Sequence, residues 1–388
     1  MHRTVAPGHV ANLHVDLNPP TPGTVVAAAT MNAFQEELCS VVEDLGIPLV
    51  QGTNTQVKAA IKALFATGRP SIAATVGANA LTVSIKNLFT GADAAAGSPI
   101  RFEFQDAADL NNAVPDLLNL TAASSIVISS GSTMGAVNGV PFRLWLVMFK
   151  DGANLRPGLI NCRSGTDIFP LGQFPIASST AEGGAGAADS AHVFYTGTAV
   201  AAKAYVVLGY LEWQTGLAAA GTWDAEPTII RLFRPGTPLP GTVIQMVNTA
   251  TGAVATGTTL IPDDDTIPQN TEGDQYMSQS ISPRSSANVL EVRAQIGYSL
   301  HSNTANSFAI FQDSVSNALA AVLQNTGSLN AGAHSLEHML IAGTVAATTF
   351  KLRAGGGAAG TFTFNGTTTS RRFGGVLNSY LRIKEVQA

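Results

Sequence analysis

The chain is short of charge. Asp, Glu, Lys and Arg make up 12% of its 388 residues, about half of the roughly 25% usual for a soluble domain. Only 21 residues are Lys or Arg and the formal net charge is −5, so no polybasic face is available and nucleic acid is not an expected partner. Cysteine is nearly absent. Cys39 and Cys162 fit neither a disulfide framework nor a metal spacing, and reduced thiols are expected. Unbroken apolar runs are missing as well. The long uncharged windows 117–142 and 235–262 are interrupted by Gly, Pro, Asn, Ser and Thr, so neither could satisfy its backbone in lipid and no membrane insertion is expected. The first 17 residues carry no apolar segment of the secretory type, and a soluble protein not exported by that route is expected.

Signatures of catalysis are also lacking. No G-x-S-x-G is present, and Ala181–Ser190 is Gly-rich without the spacing of a phosphate-binding loop. Ala333-His334-Ser335-Leu336-Glu337-His338 places two histidines four apart but is not H-E-x-x-H. Asp263-Asp264-Asp265 lacks the alternation of a calcium loop and reads as a solvated turn. Trp213, Trp223, Tyr276 and Tyr298 could stack on sugars if exposed, but core positions are the expectation for each. Asn119-Leu120-Thr121 and Asn365-Gly366-Thr367 match a glycosylation acceptor, which matters only on an exported chain. A non-enzymatic protein with no cofactor and no metal is expected.

What the chain does have is alternation. In Leu290-Glu291-Val292-Arg293-Ala294-Gln295-Ile296, apolar and polar residues take turns, and the pattern recurs at 350–354, 361–364 and 380–384. Successive strand side chains point to opposite faces, so each segment writes one buried and one wet face. Strands are expected near 243–248, 275–282, 288–300, 307–313, 335–343, 348–354, 360–364 and 376–386, a sandwich or jelly roll. Upstream, Leu81, Val83 and Ile85 alternate, as do Ile100, Phe102 and Phe104. The apolar runs 126–128, 142–149, 204–211 and 228–233 predict strands covered on both faces. Three prolines and two glycines in 235–241 predict a stiff linker.

Residues 1–30 are rich in Pro and Gly and predict an extended arm. Two short helices follow. The first carries Phe34, Leu38, Val41, Val42 and Leu45 and stops at Gly46. The second opens on a capping box at Thr53-x-x-Gln56 and carries Val57, Ile61 and Leu64. The expected organisation is therefore mainly β: an arm and helices over 1–70, a central antiparallel β-sandwich over 71–235, and a C-terminal jelly roll over 242–388. Helices this short are marginal alone, and a surface with so little charge is expected to be partly covered by other chains.

Several segments resemble a known family. Met31–Leu38, Val41-Val42-Glu43, Gly46-Ile47 and Asn54-Thr55-Gln56 with Ala60-Ile61 look like the N-terminal segment of tailed-bacteriophage tail fibre proteins. Ala181–Ser190 with Leu208–Glu212 resembles their middle region. Ile261–Ile267, Glu272–Tyr276, Phe311-Gln312-Asp313 and Phe373-Gly374-Gly375 are similar to their C-terminal jelly-roll module. The resemblance implies a homotrimeric virion fibre with a tumour-necrosis-factor-like head, anchored by its N-terminal part to other tail or baseplate proteins. It departs from long fibres in having no repeats and no β-helical shaft. Attachment or oligomerisation is expected of Phe34, Leu38, Val42, Val57, Ile61 and Leu64. Contact with a host-surface glycan or protein is expected of Asn303, Asn306, Asn325, Arg371 and Arg372, on turn segments of the last module. Two other functions fit the same sequence: a head, collar or baseplate decoration protein, and, less well, a polysaccharide depolymerase.

Overall fold

The computed structural model describes residues 9–10, 13–14, 28–105, 115–162, 176–184, 189–234, 236–300, 305–325 and 331–388. Helix α1 spans Ala28–Glu43 and α2 spans Gln56–Phe65. Gly46, at φ 67°, turns the chain after α1 at little cost. The hairpin buries Val42, Leu45 and Ile47 against Ala60 and Ala63. The expected capping box does not form. Thr55 is the N-cap and makes no side-chain cap bond. Gln56 turns back to the connecting loop instead: its Oε1 accepts from Val50 N at 3.2 Å and its Nε2 donates to the Pro48 carbonyl. Gln56 thus bonds two backbone groups of the connecting loop in place of one cap bond. Asn119 Nδ2 donates to Leu45 O at 3.1 Å and Gly68 N to Arg101 O at 2.8 Å, tying the hairpin to the β body.

The first β layers follow. Strands β1 (Ser71–Gly77), β2 (Ala80–Lys86), β3 (Ile100–Phe104), β4 (Asp116–Leu120) and β5 (Ser124–Ile128) make a β1-β2-β5 sheet and a β3-β4 hairpin. They face a larger sheet built on β6 (Phe142–Asp151), β7 (Asn154–Asn161), β8 (Lys203–Trp213) and β9 (Ile229–Leu232). Leu81, Val83, Ile85, Phe102 and Phe104 meet Leu144, Leu146 and Met148 in one core. On the other face of β6, Trp145, Val147 and Phe149 join Ile160, Cys162, Tyr205 and Tyr210. The continuous apolar run at 142–149 is therefore covered on both faces. The runs at 126–128 and 228–233 are not. Val127 and Ile230 are exposed, because β5 and β9 are the outermost strands of their sheets. A run of three or four apolar residues does not say where in a sheet its strand will lie.

The jelly roll is made by β10 (Val243–Thr251), β11 (Asp274–Ile281), β12 (Val289–Leu300), β13 (Ala305–Gln312), β14 (Ala320–Asn325), β15 (Ala331–Ile341), β16 (Thr348–Gly356), the short β17 (Phe362–Phe364) and β18 (Ser379–Val386). One sheet runs β10-β18-β12-β15, with β17 beside the end of β12, and the other runs β11-β16-β13-β14. Among the long strands the orders are first–eighth–third–sixth and second–seventh–fourth–fifth, the interleaving that defines a jelly roll. Leu290, Val292, Ala294 and Ile296 of β12 pack against Phe308, Ile310, Phe350, Leu352, Leu381 and Ile383, as the alternation predicts. The fifth strand, β14, was not predicted: Ala320, Ala321 and the exposed Leu323 give it neither strong β propensity nor a clean alternation.

Segment 235–241 is not the stiff spacer that its composition suggests. Described from Gly236 onward, it folds into turns, with Thr237 N bonded to Arg234 O at 2.8 Å and Thr242 N to Leu239 O at 3.0 Å. Gly236 (φ 90°) and Gly241 (φ 83°) supply the left-handed conformations that these reversals need. Beside the turns lies a buried polar cluster joining the two β modules. Arg143 of β6 donates Nε and Nη2 to Glu212 Oε2 at 3.1 and 2.6 Å, Nη2 to Asn288 Oδ1 at 3.1 Å, and Nη1 to the main-chain oxygen of Ala388. Its guanidinium carbon lies 4.3 Å from the centroid of the Tyr210 ring. Glu212 Oε1 accepts from Ser285 Oγ at 2.7 Å, and Glu385 Oε1 accepts from Asn288 Nδ2 at 2.6 Å. Arg143, Glu212, Asn288 and Glu385 are each at most 1% exposed.

Candidate functional site

Two surfaces combine exposure with an unusual arrangement. The first is a loop of the jelly roll, residues 365–376. Its base is fixed by Asn365. Asn365 Nδ2 donates to Thr251 O at 2.6 Å and Ala253 O at 3.2 Å, and its Oδ1 accepts from Ser379 Oγ at 2.7 Å. A fully buried, doubly donating Nδ2 leaves no access for a glycan at the Asn365-Gly366-Thr367 acceptor. Beyond it a small hairpin pairs Gly366 with Arg371 and Thr367 with Ser370. Thr368 (φ 50°) and Thr369 (φ 66°) form its turn, both left-handed, as a type I′ turn requires. Arg372 Nε donates to Thr367 Oγ1. Phe373 (φ 48°), Gly374 and Gly375 then carry the chain back to β18.

This loop concentrates backbone strain. Among the described residues, ten non-glycine residues have positive φ, and Asn365, Thr368, Thr369 and Phe373 are four of them. Such conformations cost on the order of 1–3 kcal/mol each and gather at binding sites and clamps. The strain presents Arg371, Arg372, Phe373 (78% exposed) and Val376 (80% exposed) on one short loop. Two guanidiniums beside an open aromatic ring suit an anionic ligand with an apolar face. Among the described residues no carboxylate forms an ion pair with either arginine.

The structure separates the residues that the sequence grouped for contact. Arg371 and Arg372 are exposed. Asn306 is a correction: it lies in β13 between Gln324 and Gly356, fully buried, so it offers no side chain to a receptor. Polar composition made this strand start look like part of a turn. Asn325 ends β14 opposite Ala305, and Asn303 lies outside the described residues. Phe373 and Val376, exposed on the same loop, were not among the sequence candidates. The signal for Phe373 was an aromatic between two arginines and two glycines, a place where no core strand can run.

The second surface is the helical hairpin. Of its six grouped residues, Val42 and Val57 pack in the hairpin's own core, while Phe34 (63% exposed), Leu38, Ile61 and Leu64 face outward with Met31 and Phe65 (75% exposed). Met31, Phe34, Leu38, Val41 and Leu45 follow one another at alternating spacings of three and four, the seam of a coiled coil. Its first three members are open.

The remaining sequence candidates are structural. Trp213 stacks on Phe142 with centroids 4.8 Å apart and meets Trp223 edge-on at 5.5 Å. Tyr298 packs against Phe308, and Tyr276 against Phe364. His334 and His338 lie in β15, where four residues span about 13 Å, too far to share a zinc ion. Burial holds the His338 imidazole below its ordinary range. Asp264 accepts from Thr266 N at 2.9 Å within its own turn. The Gly-rich loop is pinned at both sides. Glu182 accepts from Ser129 N and Oγ, and Asp189 from the Ser132 hydroxyl. Its residues 185–188 lie outside the described part.

No family model and no curated relative matches the sequence. Among solved structures, a tumour-necrosis-factor protein, Eiger from S. frugiperda, overlaps 37% of this chain and 94% of its own, at 12% identity and a TM-score of 0.22. The enzymatically active domain of bacteriophage CBA120 tailspike protein 4 overlaps 38% of this chain but only 20% of its own, at 14% identity and a TM-score of 0.17. A structure of infectious bursal disease virus, Gx strain, overlaps 82% and 77%, at 10% identity and a TM-score of 0.22.

Proposed function

We propose that this chain is a structural protein of a bacteriophage virion: a homotrimeric tail fibre, joined to the particle through its helical hairpin and touching the host surface with its jelly roll. The observation that carries the reading is the open seam of α1. Met31, Phe34 and Leu38 lie in water at coiled-coil spacing, and parallel copies of the helix give each a partner. The resemblance of all three modules to tail fibre segments supports a three-fold assembly and a place on the tail. The loop at 365–376 is the surface proposed for the host, with Arg371, Arg372 and Phe373 making contact and several weak sites acting together. No catalytic role is proposed.

Two measurements test this. Light scattering of the purified chain at micromolar concentration should give three times the 40.0 kDa monomer mass; a folded monomer overturns the assembly. Particles carrying Arg371→Ala, Arg372→Ala and Phe373→Ala together should adsorb to cells less well while retaining the protein. Unchanged adsorption removes the host-contact role from this loop and leaves the decoration reading, whereas saccharide fragments released by the purified protein would establish an enzyme.

A further inference from the structure

A cavity of about 220 Å³ opens between α2 and the loop that follows β2. From the helix side come Lys58 and Lys62, one turn apart and therefore on the same face. From the loop side comes Phe89, whose ring is nearly half exposed and lies 5.1 Å from the Lys62 ammonium. The loop is held by its own hydrogen bonds, and these set the polarity of the cavity. Asn87 Oδ1 accepts from Phe89 N at 3.0 Å, and Asn87 Nδ2 donates to Ser98 Oγ at 3.1 Å. Thr90 Oγ1 accepts from Ala92 N at 3.2 Å.

Of the three hydroxyls that line the cavity, those of Thr90 and Ser98 each accept a hydrogen bond within the loop and keep a hydrogen to donate, and that of Thr55 makes no cap bond to the helix. The two lysines have only donors. No Asp or Glu lines the space, and the acid of the adjoining turn, Asp93, is taken by Lys86 at 2.8 Å. A lining that offers donors and positive charge, and no carboxylate, selects an anion. The exposed phenyl ring adds a flat apolar wall that a bare inorganic anion would not use, but that the C–H face of a sugar ring would cover.

We propose that this cavity binds an acidic monosaccharide unit, a pyranose carrying a carboxylate. The carboxylate meets Lys58 and Lys62, ring hydroxyls accept from Ser98 and Thr90, and one sugar face rests on Phe89. The site belongs to a different module from the 365–376 loop and stands independently of the role proposed for that loop.

Calorimetric titration of the full chain with glucuronate, glucose and inorganic phosphate tests it. Glucuronate should bind in the millimolar range, phosphate several-fold more weakly, and glucose not measurably. The double variant Lys58→Gln/Lys62→Gln should weaken glucuronate binding by about tenfold or more, with little change in melting temperature because neither lysine is buried and neither forms an ion pair among the described residues. Lys62→Arg should preserve binding. Phe89→Ala should bring glucuronate down to the level of phosphate, and Arg371→Ala/Arg372→Ala should change nothing. Glucose binding as tightly as glucuronate, or undiminished binding by the double lysine variant, overturns the site. Phosphate binding as tightly as glucuronate overturns its assignment to a sugar. Loss of adsorption by the loop variants with no glucuronate binding at all would sink this proposal and leave the host-contact role of the loop standing.

Discussion

Replacing Arg143 by Met tests the junction between the two β modules. The substitution keeps an unbranched aliphatic stem but removes the guanidinium beside Tyr210 and its donors to Glu212, Asn288 and Ala388. Glu212 then remains at 1% exposure with the Ser285 hydroxyl as its remaining partner in the cluster. Breaking a buried pair in this way costs about 3–5 kcal/mol, because the surviving charge stays desolvated. For a cooperative unit of roughly 150–250 residues, each kcal/mol moves the melting temperature by about 2–4 °C, so a fall of roughly 6–20 °C is expected in scanning calorimetry. The second variant is the sharper one. Arg143→Met with Glu212→Leu removes both charges, and such replacements are often neutral, so the double variant should recover at least half of the loss. Protease cleavage within 236–241 should rise in the single variant and fall again in the double. A single variant that melts within about 1 °C of the parent, or a double variant that loses as much as both singles added, would refute the reasoning.

Three further outcomes are expected. Burial, with a smaller push from the Glu182 charge, holds the Asp189 carboxyl above its ordinary range against the Ser132 hydroxyl bond. The folded state therefore keeps this proton to higher pH than the unfolded chain does, and stability from this group is lost as pH rises from the ordinary carboxylate value through the raised one; Asp189→Asn should gain on the parent more at about pH 7 than at about pH 4 in denaturant titrations, and an equal difference at both would be evidence against it. Gly209 sits at an irregularity in the β6–β8 pairing, and a Cβ there would stand 2.2 Å from Arg231 O, so Gly209→Ala should detach β9 and speed hydrogen exchange at 229–232, with parent-like protection counting against the packing. Phe34→Ser with Leu38→Ser should lower the mass seen by light scattering without changing far-ultraviolet dichroism, and an unchanged mass would place the contacts between copies elsewhere.

The strands that the sequence revealed are those with one wet face. Glu291, Arg293 and Gln295 alternate with Val292, Ala294 and Ile296 because water lies on one side of β12 and Phe308 and Phe350 on the other. Where a strand is polar and still covered, as at Asn306 and Ser307, the same rule misleads, because the neighbours that bury it lie some 15 to 50 residues away, opposite in β14 and β16. The junction cluster was invisible for a related reason. Arg143, Glu212, Asn288 and Glu385 are far apart in sequence, each looks locally like an ordinary solvated charge or amide, and only the fold brings them out of water together. At the 365–376 loop, Arg371 and Arg372 were legible from charge, whereas the exposure of Phe373 depends on left-handed backbone that Thr368 and Thr369 give no hint of.

The Arg143 cluster also decides how the protein bears load. A pull between the helical hairpin and the jelly roll should not stretch the 236–241 segment first, because a parallel path of hydrogen bonds through the guanidinium, the two carboxylates and Asn288 crosses the module boundary. These short bonds fail together rather than one after another, so the molecule should behave as a rigid strut up to a threshold force and then lengthen abruptly as the turns at 236–241 pay out.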